Sequence, residues 1–223
     1  MCEYELFTAR DLIKLPDSIG CDQAALIEPA ANAIMAIDEA PVRPGDTVVI
    51  MGTGPIGIAA VPLTRLYGAR RIISVGRSDF KLDLCKKLGA THTINTARDR
   101  VRETIMEITQ GKGADVAIEL SGSHELLDDC IYSTKIGGVL SMLAFYAEPH
   151  NTNFNEINFR RLVIKPAGGG WGFFDKVIRL MESGQLDLLP IITSRVSLED
   201  AVSEITNLKK ENARKVKVMI CLD

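Results

Sequence analysis

The sequence has little of what builds disulfide frameworks, zinc lobes or membrane spans. Its five cysteines are odd in number and widely spaced, and no two of them form a CxxC pair. This spacing argues against a disulfide framework and against a four-cysteine zinc lobe, and it favours a reducing, cytoplasmic location. No apolar run approaches the length of a membrane span, and the charged residues 1–5 do not resemble a signal peptide.

The charge balance excludes further classes of partner. The 223 residues carry a formal net charge of -3, and the basic residues are scattered along the chain. A slightly acidic chain of this kind indicates neither a nucleic-acid partner nor an anionic membrane surface. Hydrophobic residues make up 46% of the sequence, which is the composition of a soluble, core-forming protein with room for one large domain or one and a half.

What the sequence does contain is a strand, a glycine turn and a helix in direct succession. Thr47–Met51 is a short β-branched run that fits one buried strand, and the turn after it has the spacing GxGxxG. In this context the glycines allow a tight turn, the approach of a pyrophosphate and close strand–helix packing, while the helix start favours an anion. The alternative is a glycine turn that serves packing alone. The turn predicts cofactor contacts from Gly52, Thr53, Gly54, Pro55, Ile56 and Gly57.

Beyond the turn, strand and helix patterns alternate regularly. Strands are predicted at residues 71–75, 91–94, 114–120, 138–145 and 162–165, and helices at residues 79–88, 101–110 and 124–134. Such alternation implies right-handed crossovers and an α/β fold with a doubly wound parallel sheet, the Rossmann arrangement. Less regular parts are predicted as strands at residues 3–7, 12–15 and 189–193, a loop at residues 151–158 and a helix capped by Ser197.

The end of the second predicted strand indicates the cofactor. An acidic residue there would hold the ribose diol of NAD, whereas an arginine accommodates the 2′-phosphate of NADP. Gly76 stands in the place of the acid, and Asp79 is better placed as a helix-start residue. Arg77, Ser78 and Lys81 supply donors suited to a phosphate. NADP(H) is therefore favoured over NAD, and the alternative is a solvated Arg/Lys pair with a serine helix cap.

The sequence resembles the medium-chain dehydrogenase/reductase family, in its zinc-dependent alcohol, polyol and threonine dehydrogenase branch. The residues that carry the resemblance run almost from end to end: Leu15-Pro16-Asp17, Ile27-Glu28-Pro29, Gly52–Gly57, Lys87-Leu88-Gly89-Ala90, Gly113-Ala114-Asp115-Val116, Gly137-Gly138 and Pro190-Ile191-Ile192-Thr193. The strand end Val75-Gly76 is similar to that of NADP-dependent secondary alcohol dehydrogenases. The resemblance implies hydride transfer between a nicotinamide and a zinc-bound alcohol or carbonyl.

The same resemblance implies a division into domains. It places a dinucleotide-binding Rossmann domain at residues 30–170 and remnants of a catalytic domain at residues 1–29 and 171–223. Most of the N-terminal catalytic domain is expected to be lacking. By family analogy Ser121 lines the cofactor cleft, although it also fits a simple turn.

Zinc is the part of the resemblance that the sequence supports least. A catalytic zinc needs three protein ligands, and the family's Cys and His-Glu pair are missing, because none of the three histidines precedes a glutamate. Glu28 is either an inherited ligand without partners or a helix-start carboxylate. Zinc is therefore expected to be absent, no catalytic residue is assigned, and His92 and His124 are expected to be surface histidines rather than ligands. Trp171 is expected to be a packing residue rather than a substrate clamp, and two core thiols are predicted at Cys85 and Cys130.

Three functions remain open at this point. The first is an NADP-dependent, zinc-type alcohol or polyol dehydrogenase for a small alcohol or carbonyl, catalytically incomplete as this chain alone. The second is a non-catalytic NADP(H)-binding module, such as a redox sensor or a subunit that another chain completes. The third is a degenerate fragment without function. A homodimer is predicted through the weakly charged strand Leu162–Lys165, with Val163→Pro weakening it.

Overall fold

The computed structural model describes residues 4–211 and 214–222. Its main sheet contains β1 (Thr47–Met51), β2 (Arg71–Gly76), β3 (His92–Asn95), β4 (Ala114–Glu119), β5 (Thr134–Met142) and β6 (Val163–Pro166). The helices are α1 (Cys21–Ala24), α2 (Ile27–Glu39), α3 (Pro55–Leu66), α4 (Asp79–Lys87), α5 (Val101–Ile108), α6 (His124–Ser133), α7 (Phe154–Arg160), α8 (Phe174–Glu182) and α9 (Ala201–Glu211). A second, two-stranded sheet pairs β7 (Ile192–Ser197) with β8 (Lys217–Cys221).

The main sheet confirms the predicted doubly wound arrangement. Its strand order is β3-β2-β1-β4-β5-β6, and all neighbouring strands are parallel. The chain first steps outward from β1 to β3 and then returns to the other side of β1 with β4. The direction therefore reverses between β1 and β4. At such a switch point the carboxyl ends of the strands leave a crevice in which α/β proteins bind their ligands.

Strand β1 supplies side chains to two hydrophobic cores. Because side chains alternate along a strand, Val48 and Ile50 join a core with α2, α3 and α8, while Val49 and Met51 join a core beneath α5 and α6. All five residues of β1 are buried. Burial on both faces explains why this strand is a continuous apolar run in the sequence rather than an alternating one.

Helices α2 and α8 pack with α3 in the first of these cores. Ala30 and Ile34 of α2 and Val177 and Met181 of α8 are buried there together. The two helices lie at the predicted domain limits and share one core with the Rossmann strands, and the limits themselves stay predictions. Among the described helices, none combines the length and the apolarity needed to cross a membrane.

The prediction of a loop at residues 151–158 is wrong, because helix α7 begins at Phe154. The side-chain oxygen of Asn153 accepts hydrogen bonds from the backbone N–H groups of Asn155 and Glu156, at 3.1 and 3.4 Å. This is the action of a helix N-cap. An asparagine-rich stretch indicates a loop by composition, but here one asparagine starts the helix.

Other boundaries also differ from the prediction. Strand β5 begins at Thr134, four residues before the predicted start, and pairs with Ala114 before a register shift. Residues 4–7 and 12–15 are not strands, and residue 3 lies outside the described residues. A short 3-10 turn at Leu189–Ile191 precedes β7, so this strand starts later than predicted. Ser197 ends β7, but its hydroxyl still accepts the Asp200 N–H at 3.3 Å, just before α9.

Candidate functional site

The glycine turn after β1 is shaped by contacts that only glycine permits. Gly52 has a φ of +108°, and a Cβ on it would lie 3.1 Å from backbone atoms of Leu120 and Ser121. A Cβ on Gly57 would lie 2.1 Å from the carbonyl oxygen of Gly52, so α3 rests directly on the turn. A Cβ on Gly54 would meet no described atom within 4 Å. The first and third glycines therefore serve packing, and the second leaves open space in front of the turn.

The start of α3 faces this open space. Gly54 has extended backbone, and Pro55 takes the first helical position as predicted. The first N–H groups of a helix have no acceptor within the helix, and the helix dipole favours an anion at this end. The side chain of Ile56 packs against the first core instead of the open space.

A cleft of about 1080 Å³ opens at the carboxyl ends of β1, β2 and β4. This is the size of a cofactor site. Of the predicted cofactor residues, only Ile56 and Gly57 are not part of its lining. The predicted residues that line it are Gly52, Thr53, Gly54, Pro55, Gly76, Arg77, Ser78, Lys81 and Ser121.

Two basic residues lie together at the β2 end of the cleft. Arg77 is exposed, but only 8% of the Lys81 surface is accessible. Burial, and then the charge of Arg77, lower the pKa of Lys81. Two cations close together at a partly buried site favour the binding of an anion beside them. Ser78 lines the same end and also caps α4, because its hydroxyl accepts the Lys81 N–H at 3.4 Å.

Asp79 is occupied by structural contacts, as its helix-start position predicts. Asn95 Nδ2 and Arg98 Nη1 donate to its carboxylate at 2.8 and 3.0 Å. These two hydrogen bonds, in that order, hold the pKa of Asp79 below its usual value. Asp99, by contrast, does line the cleft, and its carboxylate accepts the backbone N–H of Asn95 at 2.7 Å. The sequence offered no motif that pointed to Asp99.

Strand β4 ends in a buried carboxylate that the sequence-based prediction missed. Glu119 is 0% exposed. One of its oxygens accepts the N–H groups of Ser121 and Gly122 at 2.8 and 3.2 Å and also the Ser121 hydroxyl. Its other oxygen accepts the Tyr146 hydroxyl at 2.7 Å. Glu119 therefore fixes the turn that carries Ser121 along the cleft, and its signal in the sequence was an acid at the end of an apolar strand.

The opposite wall comes from the loop before α5 and from the start of α6. Ser123 caps α6 by accepting the Leu126 N–H at 3.4 Å, and both residues line the cleft. Asp129 lies farther along the same helix, where burial raises its pKa although Arg102 opposes the shift. None of these residues belongs to a sequence motif, so sequence reasoning did not find this wall.

No histidine or cysteine among the described residues lines the cleft. His92 is exposed as predicted. His124 is partly exposed at the start of α6, and its ring stacks on Tyr146 and His150, with centroid distances of 5.3 and 4.5 Å. The two predicted core thiols, Cys85 and Cys130, are both buried. Burial raises the pKa of the Cys85 thiol to about 11, so it is not a reactive thiolate at neutral pH.

Glu28 lies in a separate, small cavity of about 60 Å³. Its carboxylate accepts a hydrogen bond from Asn32 Nδ2 at 2.6 Å. Trp171 lines the same cavity and stacks on Phe174, but it is 79% exposed, so most of its surface is not packed as expected. Within residues 4–211 and 214–222, no group of three or more His, Cys, Asp or Glu side chains could hold a metal ion. One carboxylate beside an amide does not fit a catalytic zinc, which needs three protein ligands.

The fold and the cleft define a Rossmann-type α/β protein with its ligand crevice at the switch point of the sheet. Residues 55–183, more than half of the chain, match the family model for zinc-binding dehydrogenases. The chain belongs to this family. The resemblance to the zinc-dependent branch of the medium-chain dehydrogenases is thereby confirmed.

Individual relatives agree with the family match. The L-threonine 3-dehydrogenase of Marinomonas sp. (strain MWYL1) is 32% identical over 203 residues, which cover 89% of this chain and 58% of the relative. The 2R,3R-butanediol dehydrogenase of Bacillus subtilis is 28% identical with a TM-score of 0.86, over 95% of this chain and 60% of that one. A zinc-binding dehydrogenase of Sinorhizobium meliloti 1021 bound to NADP is 28% identical with a TM-score of 0.87, over 94% and 62%. The chain thus spans about three fifths of these relatives, from 58% to 62%.

Proposed function

We propose that this chain is the NADP(H)-binding part of a zinc-type alcohol or polyol dehydrogenase of the cytoplasm. The observation that carries the proposal is the pairing of Arg77 with the buried Lys81 at the end of β2, where Gly76 replaces the acid of an NAD site. The similar Sinorhizobium protein is bound to NADP, which supports this choice. Threonine and butanediol dehydrogenases among the relatives support a small hydroxyl-bearing substrate.

The cleft fits the shape and the charge of such a cofactor. The open space at Gly54 and the start of α3 suit the pyrophosphate. Arg77, Ser78 and Lys81 suit the 2′-phosphate on the adenosine ribose. Bound NADP(H) would supply the hydride acceptor or donor. The residues of this chain bind and orient it, and the turn fixed by Glu119 bounds the cleft on the β4 side.

The surroundings of Glu28 support a second candidate. The carboxylate is held by Asn32 and has no cluster of ligands among the described residues. A chain with this donor set would bind the cofactor without turning over an alcohol. The second candidate is therefore a non-catalytic NADP(H)-binding module, such as a redox sensor or a subunit whose zinc ligands come from another chain.

Calorimetric titration with NADPH and NADH tests the cofactor. We expect NADPH to bind more tightly by about 1.5–3 kcal/mol, or more than tenfold, because charge-assisted hydrogen bonds reach only its 2′-phosphate. Arg77→Ala should remove most of this preference. The matched control is Arg70→Ala, since Arg70 is also exposed and lies just before β2, at the other end of the same strand. Equal affinities for the two cofactors in the wild type would contradict the proposal.

A further inference from the structure

We propose that Thr53 is a second determinant of cofactor choice and acts together with Gly76. The inference rests on the proposed NADP(H) site and goes beyond the missing acid at the end of β2. The Thr53 side chain fills the space that any side chain at position 76 would need. The preference for NADP(H) thus depends on two residues from different segments of the chain, because Thr53 restricts which side chain can stand at position 76.

The distances leave no room for a side chain on Gly76. A Cβ built there would lie 2.4 Å from Thr53 Oγ1, 2.5 Å from Thr53 Cγ2 and 3.0 Å from Thr53 Cβ. Favourable contacts between such atoms begin at about 3.5 Å. The conflict therefore involves the whole threonine side chain rather than one movable end.

Rotation of Thr53 does not resolve the conflict. Threonine places heavy atoms in two of the three staggered positions around its Cα–Cβ bond. Two of those positions face Gly76, since both Oγ1 and Cγ2 lie within 2.5 Å of the added Cβ. Any rotamer consequently leaves at least one heavy atom against position 76. Thr53 is also only 8% exposed, so its side chain has little free space elsewhere.

The backbone cannot separate the two residues cheaply. Gly52 N donates to the carbonyl oxygen of Val75 at 2.9 Å, which joins the residues directly before Thr53 and Gly76. Gly52 is also packed on the turn after β4, where its Cβ position is 3.1 Å from Leu120 and Ser121. Moving the turn away from β2 would break the hydrogen bond and disturb this packing. An acid at position 76 therefore requires a smaller residue at position 53.

The first experiment measures NADH and NADPH affinities for Gly76→Asp, Thr53→Ala and the double variant. We expect Gly76→Asp to bind NADPH more than tenfold more weakly than the wild type, because the carboxylate repels the 2′-phosphate. Its affinity for NADH should not rise, because Thr53 keeps the carboxylate from the position in which it would bind the ribose. Thr53→Ala should keep the preference for NADPH. The double variant should bind NADH at least tenfold more tightly than Gly76→Asp does. The double variant Thr53→Gly with Gly76→Asp should gain as much NADH affinity or more, because Thr53→Gly also removes the Thr53 Cβ atom that lies 3.0 Å from the Cβ position of residue 76.

The second experiment needs no cofactor. Gly76→Ala should lower the melting temperature by about 2–8 °C through overpacking, and adding Thr53→Ala should restore at least half of the loss. The matched control is Gly54→Ala in the same turn. Gly54 has a φ of -75° and open space at its Cβ position, so this variant should melt close to the wild type.

Two results would overturn the inference. One is NADH binding by Gly76→Asp alone that equals binding by the double variant. The other is a Gly76→Ala melting temperature that matches the wild type or that Thr53→Ala fails to raise. If the wild type binds neither cofactor, the proposed function fails, and the melting temperatures still decide whether Thr53 excludes a side chain at position 76.

Discussion

Lys81 carries its charge in a place that disfavours it. Burial and Arg77 both lower its pKa, so the folded protein holds this proton less tightly than the unfolded chain does. Between the lowered pKa and 10.5, the unfolded state binds more protons, and stability therefore rises with pH across that window. A bound 2′-phosphate would act in the opposite direction, because an opposite charge stabilises the protonated amine.

The preference for NADPH over NADH should consequently fall as pH rises through the pKa of Lys81. The neutral amine loses its attraction for the 2′-phosphate, while NADH, which has no such phosphate, is affected less. Titrations from about pH 7.5 to about pH 10 in the wild type would show a declining affinity ratio. Lys81→Arg should keep the ratio nearly constant, because arginine stays charged throughout. The same slope in both proteins would assign the pH dependence to another group.

Glu119 shows how a residue can matter to the cleft without any motif. It accepts hydrogen bonds from Ser121, Gly122 and Tyr146 in a fully buried position. Burial first, and then Glu119, raise the pKa of Tyr146, so its hydroxyl remains a donor. The sequence shows an acid at the end of a strand, but its partners lie up to 27 residues away, and only the fold reveals them.

Glu119→Gln should therefore lower the free energy of unfolding by at least about 1.5–3 kcal/mol, the value of a hydrogen bond to a charged group. The new amide group faces donors, so one or more of them loses its acceptor. Denaturant unfolding measures the loss. Glu107→Gln is the control, because Glu107 is exposed on α5 and should change stability by no more than about 0.5 kcal/mol. A Glu119 variant as stable as this control would show that the buried carboxylate contributes nothing.

At the scale of elements, the sequence predicted best where local pattern and tertiary burial agree. The strands β1 and β2 are buried on both faces and appear as short apolar runs, so both were placed within a residue or two. The prediction failed where pairing with a neighbouring strand decides whether a segment forms a strand. Residues 4–7 alternate like a strand but have no neighbouring strand there, whereas the start of β5 exists because Thr134 pairs with Ala114.

Strand β6 is an edge strand of the main sheet. Its outward hydrogen-bonding groups differ from the prediction, however. Ala167 N donates to Met142 O on β5, and because N–H directions alternate along a strand, Val163 also faces β5. Ile164 supplies the outward N–H, and Pro166 has none. Val163→Pro would thus remove a donor that faces β5, and its predicted effect on a dimer would act through the edge strand rather than through a bond to the partner chain.

We expect this chain to form a homodimer that depends on Ile164. Val163 and Ile164 are 44% and 38% exposed, an apolar edge that can pair with its own copy across a two-fold axis. Ile164→Pro removes the outward donor and should shift the mass in light scattering from dimer towards monomer at micromolar concentration. Ile164→Ala keeps the N–H group and should retain more dimer. A clean monomer mass for the unmodified chain would refute the dimer.

At the scale of the whole molecule, only one side of the cleft could be found in the sequence. The residues of the glycine turn and those at the end of β2 each lie close together in the sequence, and their spacing indicates the kind of ligand that they suit. The other side gathers Asp99, Ser123 and Asp129 from separate loops and helices, together with Val216 from the segment before β8. No local pattern links residues so far apart, and they meet only because parallel crossovers bring their ends to one edge of the sheet.

Whether the chain turns over an alcohol also depends on the molecule as a whole. It spans about three fifths of its relatives, 58% of the Marinomonas threonine dehydrogenase and 60% of the butanediol dehydrogenase. The cleft at the carboxyl ends of the strands and the cavity at Glu28 are separate features. The cleft offers donors suited to a pyrophosphate and to a 2′-phosphate, whereas the described lining of the cavity at Glu28 adds no further carboxylate, histidine or cysteine to the Glu28 carboxylate, which is hydrogen-bonded to Asn32.

We therefore expect cofactor binding without stoichiometric zinc and without appreciable alcohol oxidation by this chain alone. A catalytic zinc requires three protein ligands, and the cavity at Glu28 offers one carboxylate already bonded to Asn32. Metal analysis of a chelator-washed sample should find far less than one zinc per chain, and Glu28→Gln should leave this content unchanged. Robust NADPH formation from simple alcohols, or one zinc per chain that Glu28→Gln removes, would show that the site is complete and that the chain is an active dehydrogenase.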